Sequence, residues 1–153
     1  MKTREAVVEE ARSFIGTPYH PCGMVKGVGV DCATFIYLVC LNCGLCPEES
    51  IGVFAGDWWC HVTTEVYMLR IARWAKRVGE AVAYRKVDES RPGDIVLMRA
   101  ASSKVYNHGC IVTKWPLIVH AIVPRVAEVD ASRDPMWSYQ QIAIFDPWEI
   151  VRS

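Results

Sequence analysis

The chain has 153 residues, 52% apolar and 22% charged, which is long enough for one domain with a proper core and too apolar for a disordered one. Seventeen basic side chains balance seventeen acidic ones, so there is no electrostatic footprint for nucleic acid or an anionic membrane. The longest apolar run, within residues 29–46, is broken by Asn42 and Gly44 well short of the roughly 20 residues that a membrane span needs.

The opening stretch, MKTREAVVEEARSFIG, mixes acids and bases where a signal peptide would show an unbroken apolar block. Synthesis in the cytoplasm without such a signal is expected. Val7, Val8, Ala11, Phe14 and Ile15 recur at helical spacing with Glu5, Glu9, Glu10 and Arg12 off that face, which predicts an amphipathic helix over residues 3–15. Gly16 and Pro18 close it. A loop rich in Gly and Pro, GTPYHPCGMVKGVG, leads to a second helix from about Cys32. This helix is apolar nearly all round and therefore predicted to be central and buried.

A third helix is predicted over residues 61–78, with Tyr67, Ile71, Trp74 and Val78 along one stripe. After Gly79 the period changes to two. AVAYRKV, GDIVLMR, YNHGCIVT, LIVHAIV and RVAEVD read as short strands separated by turns such as Arg91-Pro92-Gly93 and Trp115-Pro116, with a last strand expected near QIAIFD. Helices first and strands after, with no βαβ alternation, predict an α+β fold with an antiparallel sheet of about five to six strands. Neither a repeat nor a linker divides residues 1–153, so one domain is expected.

Seven cysteines are an odd number, and a chain without a signal is expected in a reducing compartment, which makes disulfides the least favoured reading. Cys40, Cys43 and Cys46, followed by Pro47, resemble part of a ferredoxin cluster motif, but the fourth thiolate is missing and position 50 is Ser. Cys40 and Cys43 also sit on the apolar stripe of a helix, and Cys60-His61 is the only partner pair for a zinc site, so no metal and no cofactor is expected, with a metal-binding module on Cys40–Cys46 as the alternative.

Cys32 differs from the rest. It follows Asp31, which suits an N-cap, and opens the buried helix, where unpaired amides and the helix dipole favour thiolate. Such a thiol needs a base, and the base an orienting group. A hairpin centred on Lys114 would set His108 directly opposite His120, on one face. The pair can serve as base and orienter, or be two half-buried histidines held by backbone carbonyls. His20 and His61 read as surface or capping residues.

Taken in order, Gly16-Thr17-Pro18-Tyr19, Asp31-Cys32, Pro92-Gly93-Asp94, and His108 with His120 twelve residues later resemble the NlpC-type peptidoglycan endopeptidases, papain-like cysteine peptidases. The resemblance covers about residues 5–130. A finer likeness, through Asp57 to Trp74, is to the versions found in phage tails and tail-like particles. Three positions depart from the family: Ala33-Thr34 where Ser-Gly is usual, Cys110 where Gly is common, and Lys114-Trp115-Pro116 at a hairpin tip that is usually Gly-rich.

The resemblance implies a papain-like fold in which the cysteine helix packs on the sheet bearing the histidines. It implies Cys32 as nucleophile, His108 as base and His120 as the residue that orients it. Tyr19 is implied as an oxyanion donor, its alternative being a packing role. Asp31 is implied in binding the free amine of a stem peptide, its alternative being a plain N-cap. Asp94 is assigned to turn structure, and Cys22, Cys40, Cys43, Cys46, Cys60 and Cys110 to structure. The implied partner is a peptidoglycan stem peptide, cut between D-glutamate and the diamino acid, with phage tail proteins as carriers to the bacterial wall. An amidase or acyltransferase on another substrate, or a silent tail protein, are the alternatives.

Overall fold

The computed structural model describes residues 3–48, 71, 76–82, 90–100, 103–135 and 141–147. Helix α1 (Arg4–Ser13) starts at Thr3, whose hydroxyl accepts the Ala6 amide, and ends at Phe14; Gly16 then turns the chain with φ +90°. Val7, Val8 and Ala11 are buried as their spacing predicts, while Ile15 falls past the helix and is exposed.

Two short strands, β1 (Met24–Val25) and β2 (Gly29–Val30), form a small hairpin before α2 (Cys32–Asn42). Helix α2 buries Phe35, Ile36, Tyr37, Val39 and Cys40, which accounts for its lack of a polar face. The Phe14 and Phe35 rings meet edge to face at 5.5 Å and lock the two helices together.

The sheet has six strands: β3 (Lys76–Val82), β4 (Ile95–Met98), β5 (His108–Lys114), β6 (Leu117–Ala121), β7 (Val126–Asp130) and β8 (Gln141–Asp146). Their order is β3-β8-β4-β5-β6-β7, antiparallel throughout. Ile95, Leu97, Ile111 and Val119 join the helices in one apolar cluster, and Val96, Met98, Cys110, Val112 and Ile118 form a second. Strands β4 and β5 are thus buried on both sides, and carry almost no polar alternation. The architecture is the predicted α+β one.

Two expectations need correction. The helix predicted over 61–78 lies mostly outside the described residues; Ile71 is helical, but Lys76 to Val78 belong to β3. Val78 matched the helical stripe by spacing alone, and pairing with β8, with an irregularity between Arg77 and Gly79, decides its conformation. The hairpin of β5 and β6 is also not centred on Lys114. Its turn is Trp115-Pro116, with an irregularity between Val112 and Lys114, and Ile111 pairs with Val119. That register is shifted by two residues, so it sets His120 opposite Cys110 and leaves His108 on the diagonal. A shift of two keeps the same face.

Candidate active site

The site begins with the turn that enters α2. Asp31 is the N-cap: its Oδ1 accepts the amides of Ala33 at 3.0 Å and Thr34 at 2.8 Å, and the Thr34 hydroxyl accepts the Asp31 amide. Asp31 Oδ2 accepts the Cys22 amide at 2.8 Å. One carboxylate therefore caps the helix and holds the preceding loop, including Cys22, which sits in the left-handed region at φ 59°. This places Cys32 as the first residue of α2, half-buried, with its amide at the positive end of the helix.

Tyr19 is brought alongside by a ribbon of backbone bonds. Gly16 and Tyr19 donate to Val126 and Pro124, while His20 and Val30 pair through His20 N–H to Val30 O and Val30 N–H to Pro18 O. The ribbon closes tightly: a Cβ on Gly23 would lie 2.4 Å from the Gly29 carbonyl oxygen. Burial, then the negative charge available to Cys32, Asp31 and Cys22, pushes the Tyr19 hydroxyl well above its ordinary range. It stays a proton donor throughout the neutral range.

On the sheet side, His108 opens β5. The ring nitrogens His108 Nε2 and His120 Nδ1 are 2.9 Å apart, one donating to the other, with the rings edge to face. Both rings are buried. Burial, and then the neighbouring His120, pushes His108 down to about 3; burial also lowers His120, against a pull upward from Asp134. Both imidazoles are neutral at neutral pH.

The two halves meet at Asn107, whose carbonyl accepts the Cys32 thiol with Sγ at 3.5 Å. Cys32 thus lies against the residue preceding His108. Cys32, Asp31 and Tyr19 lie together at the start of α2, beside the residue that precedes His108, and His108 itself is paired to Met98 of β4.

Comparison with known proteins supplies the fold's name. No family model and no curated protein matches the chain. Among solved structures, the NlpC/p60 domain of the peptidoglycan hydrolase SagA is similar at a TM-score of 0.61 and 21% identity, over 93% of this chain and 97% of that one. A Staphylococcus aureus protein described as similar to a lipoprotein of the NLP/P60 family is similar at 0.60 and 17%, over 97% of this chain. The chain spans 42% of that protein's length.

The chain has the NlpC/p60 fold. Within it, Cys40, Cys43, Cys46 and Cys110 behave as packing groups. Cys43 donates to the Ala6 carbonyl and Cys46 to that of Tyr37, while burial pushes the Cys40 and Cys110 thiols well up. Among the described residues no group of three or more His, Cys, Asp or Glu is arranged to hold a metal ion. His20 is exposed with Nδ1 against the Pro21 carbonyl, and Cys60 and His61 lie outside the described residues.

Two residues escape a reading of the sequence. Asn107 falls at the edge of a segment that reads as a strand, just ahead of His108, so nothing in the pattern singles it out. Asp94, assigned to a turn, accepts the Arg91 amide as such a turn requires, but is also paired with Arg4 at 2.8 Å, ninety positions away.

Proposed function

We propose that the chain is a thiol hydrolase of peptidoglycan stem peptides. One observation carries the reading: in an NlpC/p60 fold, Cys32 opens the buried helix against the strand whose first residue, His108, is paired to His120. The two structures named above are of NlpC/p60 proteins, and one is a domain of a peptidoglycan hydrolase.

A base acting through Nδ1 needs its proton on Nε2, so His108 donates Nε2–H to His120 Nδ1, which fixes the tautomer. His108 then takes the Cys32 proton as Sγ attacks the amide carbonyl carbon. The carbonyl oxygen becomes an oxyanion, facing the Cys32 amide and the Tyr19 hydroxyl. Collapse of the intermediate breaks the C–N bond, and the leaving amine receives the proton from His108. A thioester remains on Cys32. Water attacks it, giving its proton to His108, and the thiol is regenerated with release of the carboxylic acid.

The bond cut is that between D-glutamate and the diamino acid, a reading that rests on the motif order from Tyr19 to His120. Asp31 receives the free amine of the stem peptide as one further donor beside the three backbone amides it already accepts. Carriage on a phage tail to the cell wall rests on the resemblance through Asp57 to Trp74, outside the described residues.

The test is a digest of purified peptidoglycan by the wild type and by Cys32→Ala, read by mass spectrometry. New fragments placing a cut inside the stem peptide, absent with the variant, are the expected result. Intact peptidoglycan after treatment with folded wild type overturns the substrate. Equal cleavage by both proteins overturns the nucleophile.

A further inference from the structure

The thiol and the histidine come from distant parts of the chain and meet at one residue. Asn107 is buried, and its side chain makes a two-point clamp on Ala100: Oδ1 accepts the Ala100 amide at 2.7 Å and Nδ2 donates to the Ala100 carbonyl at 3.3 Å. Its own amide donates to Met98 at the end of β4. Arg99 lies over the Tyr106 ring at 4.8 Å, and the Ser103 amide also donates to the Ala100 carbonyl. So anchored, the Asn107 carbonyl receives the Cys32 thiol at 3.5 Å and hands the chain directly to His108.

We propose that Asn107 is a positioning residue for the Cys32–His108 pair: its side chain, locked on Ala100, fixes both the carbonyl that holds the thiol and the backbone that carries the base. The proposal rests on the function proposed above. The proposed role of Asn107 acts through Cys32 and His108. Its amide is the group suited to this clamp, since one planar head supplies an acceptor and a donor to the two backbone groups of Ala100. Placement errors of about 1 Å at reacting atoms cost roughly a hundredfold in rate, so a clamp behind the base acts on turnover, not on binding.

Two variants separate positioning from mere stability. Asn107→Ala removes both bonds. Asn107→Asp keeps the acceptor; as the carboxylate it cannot donate to the Ala100 carbonyl, and as the neutral acid it can. The charged and titratable neighbours of that segment among the described residues include Arg99, Lys104, Cys32 and His108.

The readout is alkylation of Cys32 by iodoacetamide across pH, followed on the Cys32 peptide by mass spectrometry, which needs no substrate. With Asn107→Ala, which frees the carbonyl that accepts the thiol proton and the backbone that carries His108, the midpoint is expected to move by about one unit from the wild-type value, an about tenfold change in rate below it. With Asn107→Asp, the rate relative to wild type is expected to approach the wild-type value as pH falls and the introduced carboxyl takes up its proton. On peptidoglycan, kcat should fall by about 10- to 100-fold for Asn107→Ala, with KM within about threefold.

A wild-type alkylation profile in folded Asn107→Ala overturns the proposal, as does a raised KM with unchanged kcat. If Asn107→Ala does not fold, Asn107→Asp decides: a ratio to wild type that is independent of pH overturns it. Should wild type leave peptidoglycan intact, the proposed substrate falls, while the alkylation comparison still decides the role of Asn107.

Discussion

At the scale of single residues, burial sets the protonation of the candidate site. Folded His108 titrates near 3, because desolvation and then His120 oppose its cationic form. Above the ordinary imidazole value of 6.5 the ring is neutral whether the chain is folded or not, and pH has no effect through it. Below that value the unfolded chain takes up a proton that the folded site refuses. Stability should therefore decline as pH falls from about 6.5 toward 3, and His108→Gln should flatten that decline, as read by urea unfolding at several pH values. Tyr19 offers a second test at this scale. Tyr19→Phe keeps the ring and removes only the hydroxyl, so an oxyanion role requires kcat to fall by about 10²–10³ with the melting temperature little changed. Unchanged kcat would assign Tyr19 to packing alone.

At the scale of elements, the turn into α2 is the joint on which the site depends. Asp31→Ala removes the acceptor for three amides and should cost about 2 kcal/mol or more in denaturant unfolding, above an ordinary cap because Cys22 is released as well. Gly23→Ala places a methyl against the Gly29 backbone and should destabilise by about 1–3 kcal/mol while displacing the ribbon that carries Tyr19. A stability equal to wild type would contradict this close approach of Gly23 to Gly29.

These elements were unequally legible. The start of α2 is written locally in Asp31, Cys32 and Thr34, so capping chemistry and apolar content locate it without tertiary knowledge. The β5–β6 register is not, because the irregularity near Thr113 depends on how both strands meet their neighbours; only the face shared by His108 and His120 survives the shift. The same holds for β3, where pairing with β8 overrides a stripe that reads as helix. The Asn107 clamp closes on backbone groups of Ala100, which have no side-chain signature to find.

At the scale of the molecule, the far end of the sheet is tied by charge. Arg4 at the start of α1 reaches Asp94 before β4 at 2.8 Å and Asp146 at the end of β8 at 2.9 Å, and donates to the Pro92 carbonyl. Arg91 pairs with Asp146 as well. Both aspartates are buried, and desolvation pushes the Asp94 carboxyl up, against the opposing pull of the Arg91 amide and Arg4. Removing the shared cation leaves buried carboxylates short of a partner, so Arg4→Ala should cost about 3–5 kcal/mol. Asp94 lies at the end of β4 opposite to Met98, the partner of His108, so kcat of the folded fraction should not change. Spacings of 90 and 142 positions keep this tie out of any local pattern.

The central claim is that Cys32 is acylated during turnover, and acid-quenched mass spectrometry of the chain during peptidoglycan digestion tests it most directly. The expected result is a stem-peptide acyl group on the Cys32 peptide, released by hydroxylamine and absent with Cys32→Ala. Continued cleavage with Cys32 replaced, or an acyl group carried by another residue, would contradict it.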